Sequence, residues 1–422
     1  MKKHLFNKLH RKAISMSIFN LNKLILMKIK ILVLTFFCYS QINAQINLNQ
    51  GASFKDIFYD SIPFEFIRGK IIVPVTINNK IRKFIFDTGA PLIIYEEIKN
   101  ELDLEELYEV PMLDAVGGNT NNKVVKLKSL KIKNISFDSV QAIIIKQHNF
   151  YSCLNVSGII GSNILRNCIV QIDLKNNKLI LTNDITKLDT NKSSVQDLYL
   201  DEAQSNPYIE ISLGKDISFW ANFDSGDESS IYINKEEAQK AIDNKVASVI
   251  SQGFGKIITS LTENQQNQPL QLFQFDTIVI VTNRFISFQT IPFEEDIKNR
   301  VGIGLGKYGV ITIDYLNKKF YFKPHLNDNI SQLEKPISNL GCNIFPSKNN
   351  YTIGTVWSNT PADRLGLKSG FKILMINEID FSKRTPENDC KLFLENYTMR
   401  ESLSIKYIDD NNVIKAAILK VE

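Results

Sequence analysis

The chain has 422 residues, 44% hydrophobic and 23% charged, enough for roughly two to four domains with real cores and unlike a disordered, collagen-like or coiled-coil composition. Its formal charge of +5 is deceptive, because residues 1–50 hold eight Lys and Arg and no acid, leaving 42 basic against 45 acidic residues beyond them. Nothing in that balance steers the remainder towards nucleic acid.

In chain order, Lys28 and Lys30 precede an apolar run from Ile31 to Tyr39, then polar residues and the small Ala44. A basic flank, a short apolar core and a small-residue exit are the parts of a secretory signal, and the run is too short to cross a bilayer. Residues 1–44 are therefore expected to be a signal peptide, with Met27 as an alternative start, and the protein to be secreted or periplasmic with no membrane span in the mature chain. The rival reading is an uncleaved N-terminal anchor. Beyond the signal stand Cys153, Cys168, Cys342 and Cys390, with no CxxC spacing, and only His148 and His325. Four cysteines allow three pairings, and buried thiols are the plainer reading. No metal site, cofactor or His-dependent triad is expected.

From residue 65 to 325 strand signals dominate, β-branched and aromatic residues broken by Asn, Gly and Asp turns. Lys70 to Asn78 reads as a strand with an Asn78-Asn79 turn, and Lys83 to Asp87 as the next; a short helix is expected around Glu236 to Ile242. The region repeats itself. Phe84-Ile-Phe-Asp87-Thr88-Gly89-Ala90 is echoed by Asn222-Phe-Asp224-Ser225-Gly226-Asp227, each followed by an apolar strand. Downstream, Gly158-Ile-Ile-Gly161 leads to Ile169–Leu181, and Gly302-Ile-Gly304 leads to Val310–Phe322.

A lone Asp-Thr/Ser-Gly is a common turn; two copies in matching surroundings are not. Here the sequence resembles the pepsin-like and retroviral-type aspartic proteases over residues 65–325. The resemblance implies a mainly β, bilobal, pepsin/retropepsin-like β-barrel fold, with lobes at 45–192 and 193–326, and Asp87 and Asp224 as the catalytic pair. Two carboxylates held together share a proton, one ionised to activate water and the other protonated to polarise a carbonyl. Thr88 and Ser225 would bridge the two loops, Gly89 and Gly226 would let them approach, and Ile159–Gly161 and Ile303-Gly304 would brace them. Val116-Gly117-Gly118-Asn119 falls where the family carries its flap; the alternative is an ordinary turn. Two departures stand out. Ala90 lacks the hydroxyl that pepsin-like enzymes place there, and Asp227 puts a third carboxylate next to the pair, either turned into solvent or raising the pair's pKa values.

After a polar connector the pattern changes. Thr360 and Pro361 read as a helix cap and first turn, Gly366 as its stop, and Gly370 runs into the strand Phe371–Asn377. Residues 335–422 resemble a bacterial-type PDZ domain, which implies an extended peptide added to a sheet edge and a C-terminal carboxylate held at Leu340-Gly341-Cys342-Asn343-Ile344. The alternative is a module that only braces the rest. The chain thus reads as an exported aspartic endopeptidase acting on polypeptides, with a peptide C-terminus as a partner of the PDZ-like domain. The rival class is an inactive peptide-binding or scaffold protein that retains the fold. Carbohydrate or lipid hydrolysis has no motif beyond the paired acids.

Overall fold

The structure, a computed structural model, describes residues 46–52, 54, 56–113, 119–146, 153–214, 217–256, 267–292, 298–325, 330–332 and 337–421. The chain divides into Met1–Ile46 and Asn47–Glu422. The expected signal segment lies outside the described residues, and everything below concerns the second unit.

After β1 (Tyr59–Pro63), the chain builds an eight-stranded sheet from β2 (Glu65–Ile67), β3 (Lys70–Ile77), β4 (Lys80–Phe86), β5 (Ile93–Tyr95), β6 (Glu106–Leu113), β7 (Asn119–Ile132), β8 (Ile135–Ile145) and β9 (Val156–Ile160). Helix α1 (Glu96–Leu102) follows β5, and the single turn α2 (Ser162–Leu165) follows β9. The strand order is β2-β3-β4-β9-β5-β8-β7-β6, and β3 also pairs with β7, so the sheet curls back on itself. The β3–β4 turn is Asn78-Asn79, both with positive φ (49° and 60°), the conformation a two-residue hairpin turn requires and Asn tolerates. Period-two alternation divides β3 between two cores. Ile71, Val73, Val75 and Ile77 enter the large central cluster, whereas Ile72 joins Ile85 and Tyr95 in a smaller one on the opposite face.

The next strands, β10 (Ile169–Asp173), β11 (Lys178–Thr182), β12 (Ser194–Asp197), β21 (Gly309–Asp314) and β22 (Lys319–Pro324), join β1 in a six-stranded antiparallel sheet ordered β1-β11-β10-β21-β22-β12. Both downstream repeats therefore lie side by side, Val170 facing Ile313 and Ile172 facing Ile311. Each hairpin turns on its own Asp: Asn176 N–H donates to Asp173 Oδ1 at 3.2 Å and Asn317 N–H to Asp314 Oδ1 at 2.9 Å.

The second half repeats the wiring of the first. The strands β13 (Tyr199–Leu200), β14 (Pro207–Leu213), β15 (Ile217–Asp224), β16 (Ile231–Tyr232), β17 (Ala247–Gly255), β18 (Gln268–Ile280), β19 (Asn283–Thr290) and β20 (Arg300–Gly302) belong to one sheet, with α3 (Lys235–Asp243) after β16. As β4 runs parallel to β9, β15 runs parallel to β20. The expected short helix is α3, capped by the Asn234 side chain. The same sheet takes in β23 (Ile330–Gln332) beside β19 and continues through β25 (Tyr351–Trp357) into the C-terminal residues, with β24 (Cys342–Pro346), β26 (Lys372–Ile376), β27 (Ile379–Asp380), β28 (Ser402–Ile408) and β29 (Ile414–Lys420) and helices α4 (Pro361–Arg364) and α5 (Pro386–Glu395). Thr360 caps α4 with Pro361 inside its first turn, as its sequence implies.

These residues have a core of their own, including Leu340, Tyr351, Ile373, Phe381 and Ile405, yet they are tied to both preceding sheets. Gly253, Phe254 and Gly255 of β17 pair with Trp357, Val356 and Thr355 of β25, and Trp357 packs with Leu270, Leu272 and Ile291. On the other side, Phe393 of α5 is buried with Ile72, Ile85, Tyr95, Leu154 and Val156. No helix among the described residues is long and apolar enough to cross a membrane.

Candidate active site

Asp87 follows β4 and Asp224 ends β15, so each carboxylate leaves a strand buried between neighbours. Parallel partners hold the exits: Asp87 N–H donates to the Ile160 carbonyl at 2.9 Å, and Asp224 lies in register with Gly302. Downstream of the pair, Ser162 N–H donates to the Ala90 carbonyl at 2.9 Å, and Ile303 N–H to the Asp227 carbonyl at 2.8 Å. The apolar-Gly segments thus carry the hydrogen bonds that brace both loops.

The loops meet through a reciprocal set of bonds. Thr88 N–H donates to Ser225 Oγ and Ser225 N–H to Thr88 Oγ1, both at 3.0 Å. The Thr88 hydroxyl donates to the Phe223 carbonyl at 2.7 Å and the Ser225 hydroxyl to the Phe86 carbonyl at 3.1 Å. Both side chains are wholly buried, so each hydroxyl finds both partners away from water, as burial demands. Within each loop a backbone amide orients the acid: Gly89 N–H donates to Asp87 Oδ1 at 2.8 Å and Gly226 N–H to Asp224 Oδ1 at 2.9 Å. The glycines are forced. A Cβ on Gly89 would fall 2.5 Å from the Asp224 carboxyl carbon, and one on Gly226 2.2 Å from an Asp87 carboxylate oxygen.

The two acids are in hydrogen-bond contact, and burial, followed by the Asp87 charge, pushes Asp224 up to about 7. Proton occupancy belongs to the pair. Asp227 does not turn into solvent. Burial raises its pKa, Arg300 opposes that rise, and its Oδ1 accepts from the Ser229 amide at 2.9 Å and hydroxyl at 2.7 Å. Arg300 Nη1 stands 3.9 Å from Asp224 Oδ2 and 3.9 Å from Asp227 Oδ2, its guanidinium 5.6 Å from the Tyr232 ring centre. The cation facing Asp227 comes from β20, more than seventy residues on, and no local pattern around Asp227 points to it.

Two further residues escaped sequence reasoning. The Lys70 ammonium donates to the Gly226 carbonyl, and Asn206 Nδ2 donates to the Gly89 carbonyl at 3.0 Å. Each sits at the start of the hairpin in one half and holds the glycine of the other. Neither has a local motif; the only available signal was their matched position in the repeat. Ser162 adds a third brace, donating to the Thr88 carbonyl at 2.7 Å and standing 2.9 Å from the Tyr315 hydroxyl.

Of the expected flap, Val116, Gly117 and Gly118 lie outside the described residues. Asn119 opens β7, which pairs with β6 from Leu113 to Glu106 in a long hairpin. At the expected carboxylate nest, the Gly341 amide donates to the Ser338 carbonyl at 2.9 Å, the Leu340 carbonyl accepts from Ala362, and the Gly341 carbonyl accepts from Trp357. Cys342, Asn343 and Ile344 lie on β24, whose one strand partner among the described residues is β25. Among the described residues no group of three or more His, Cys, Asp and Glu side chains is placed to hold a metal ion.

Comparison with known proteins finds a family match in one segment. Residues 73–164 match the protein family described as "Aspartyl protease". No curated protein matches the chain. Among solved structures, the chain is similar to a retropepsin-like aspartic protease from Rickettsia conorii (18% identity, TM-score 0.22, 31% of this chain and 96% of that one). It is also similar to basic 7S globulin from soybean (8% identity, TM-score 0.37, 64% of this chain and 95% of that one).

Proposed function

We propose that the protein is an exported aspartic endopeptidase in which Asp87 and Asp224 share one proton and activate a water molecule against a peptide carbonyl. The observation that carries this reading is the pairing of the two Asp-Thr/Ser-Gly loops through reciprocal hydrogen bonds between Thr88 and Ser225. With one proton between them, the ionised acid removes a proton from the water while the protonated acid donates to the carbonyl oxygen, so no covalent intermediate forms. The carboxylates are aimed by Gly89 and Gly226 amides that are already in place, so little reorganisation accompanies the reaction. On this reading the two repeats are the lobes of one protease, an extended polypeptide lies between them, and the β6–β7 hairpin supplies the flap.

Residues 337–421 are proposed to form a PDZ-like module that braces both lobes, as the β17–β25 pairing and the seating of Phe393 support. Capture of a peptide C-terminus along β24 is the companion reading, tested by titrating a labelled peptide and its amidated form. Failure to discriminate them would remove the carboxylate role.

The second functional reading is a peptide-binding protein without hydrolytic activity. Arg300, 3.9 Å from Asp224, favours that carboxylate in its ionised form and so works against a shared proton. The deciding experiment is digestion of an unfolded polypeptide with and without a hydroxyl-containing transition-state mimic. Asp87→Asn and Asp224→Asn should each lower turnover by about 10²–10⁴-fold, as loss of a general acid or base does. Binding without cleavage by the intact protein, at any pH, would favour the scaffold reading.

A further inference from the structure

Two of the four cysteines among the described residues meet. Cys168 and Cys342 are deeply buried, whereas Cys153 and Cys390 are half-buried. Cys153 lies on the turn that leads into β9, Cys390 on α5, and their thiols are in hydrogen-bond contact. The contact lies where the C-terminal residues dock on the first sheet. Cys390 is three residues before Phe393, on the same face of the helix, and Phe393 is buried beside Leu154 and Val156 with Cys153 packed against the same cluster. The Arg68 side chain completes the joint: its Nε donates to the Phe393 carbonyl at 2.8 Å, and its guanidinium lies 6.0 Å from the Phe393 ring centre. Packing and a hydrogen bond therefore hold both backbones before any covalent bond forms.

We infer that Cys153 and Cys390 form a disulfide site, oxidised by a low-molecular-weight disulfide, that staples helix α5 to the first sheet. In the first step a thiolate at Cys390 attacks one sulfur of the reagent, forming a mixed disulfide and releasing one reduced thiol. Cys153 then gives up its proton, attacks the Cys390 sulfur and expels the second thiol. The protein loses two hydrogens, and the reagent disulfide becomes two thiols. The order follows from the environment of Cys153, whose thiol burial and the neighbouring Cys390 push up to about 12; a nearby mixed disulfide compensates for its small thiolate fraction by proximity. The staple bears on the candidate active site through the β2–β3 turn, because Arg68, which grips Phe393, is two residues from Lys70, which holds the Gly226 carbonyl.

The test uses the full chain under native conditions with oxidised glutathione, followed by thiol counting in denaturant and peptide mapping without reductant. The expected result is a loss of two thiols, one cross-linked peptide joining Cys153 to Cys390, reversal by dithiothreitol and a higher melting temperature for the oxidised form. In Cys390→Ser the cross-link and the rise in melting temperature should both vanish while Cys168 and Cys342 stay unreacted. Glutathione retained as a mixed disulfide without a cross-link would overturn the proposal. So would pairing of Cys153 or Cys390 with Cys168 or Cys342, or a Cys153–Cys390 cross-link that forms only in denaturant. None of these readouts depends on hydrolytic activity.

Discussion

Asp227 and Arg300 form a charge pair at the edge of the candidate dyad, and the two have opposite effects on it. Arg300 lowers the pKa of Asp224, while the Asp224 charge raises that of Asp227, a repulsion that acts on both carboxylates. In Asp227→Asn a like charge disappears, so the alkaline limb of the kcat/KM profile, where the shared proton is lost, is expected to move to lower pH. In Arg300→Met a cation disappears, the alkaline limb moves to higher pH, and the buried Asp227 loses its compensating charge, at a cost of about 3–5 kcal/mol. The double variant should recover part of that stability. Equal, additive effects of the two substitutions in urea melts would show that the pair is not coupled. The raised Asp224 pKa also sets a stability trend. The folded state holds a proton that the unfolded state, with its ordinary value of 3.8, releases. This contribution is fully present below about pH 4 and is lost as pH rises towards 7, by up to about 1.4 kcal/mol per pH unit. Asp224→Asn is expected to flatten that slope, and an unchanged slope would place the proton elsewhere.

At the scale of elements, the two loops are held by strands rather than by their own turns. β9 and β20 each supply the parallel edge on which an Asp-bearing strand ends, and the loop glycines are where the two halves come closest. Gly89→Ala or Gly226→Ala must push a methyl group into the opposite carboxyl. Each is expected to cost about 1–3 kcal/mol through overpacking and, on the proposed mechanism, to abolish hydrolysis, since displaced carboxylates could not share a proton. Measurable stability loss with full turnover would mean the loops relax without parting. The joint between β17 and β25 is just as tight: a Cβ at Gly253 would fall 2.9 Å from the Trp357 ring. Gly253→Val should therefore loosen the C-terminal residues while leaving the Thr88–Ser225 linkage intact, visible as selective hydrogen exchange in β24–β26.

For the molecule as a whole, the C-terminal residues matter more than their separate core suggests. The compositional break after Pro324 points to an independent module, and a distinct cluster around Tyr351 and Phe381 is present. Yet Trp357 is buried with β18 residues, and Phe393 with the first sheet. Removing residues 335–422 would uncover both apolar surfaces. The truncated chain is expected to unfold cooperatively, through the large central core, but at a lower temperature and with a tendency to associate. Phe393→Ala and Trp357→Ala should each cost about 3–5 kcal/mol, the usual range for an aromatic side chain removed from a packed site. An unchanged melting temperature in both would make the C-terminal residues a passive appendage.

The sequence by itself determined what rests on short-range constraints. Alternating β-branched residues specify strands, Asn78-Asn79 specifies a tight hairpin, Thr360-Pro361 specifies a helix start, and two Asp-Thr/Ser-Gly motifs in matched surroundings announce a paired carboxylate site. Each is written within a few neighbouring residues, because steric and hydrogen-bonding needs of the backbone act over that range. Tertiary structure alone decided that Asp227 faces Arg300, that Lys70 and Asn206 hold the opposite glycines, that β17 accepts β25, and that Cys153 meets Cys390. Lys70 reaches a carbonyl 156 residues away and Asn206 one 117 residues away. Such partners are chosen by how the sheets close and pack, and charge and close-packing energies depend on separation in space, which no local run of residues encodes.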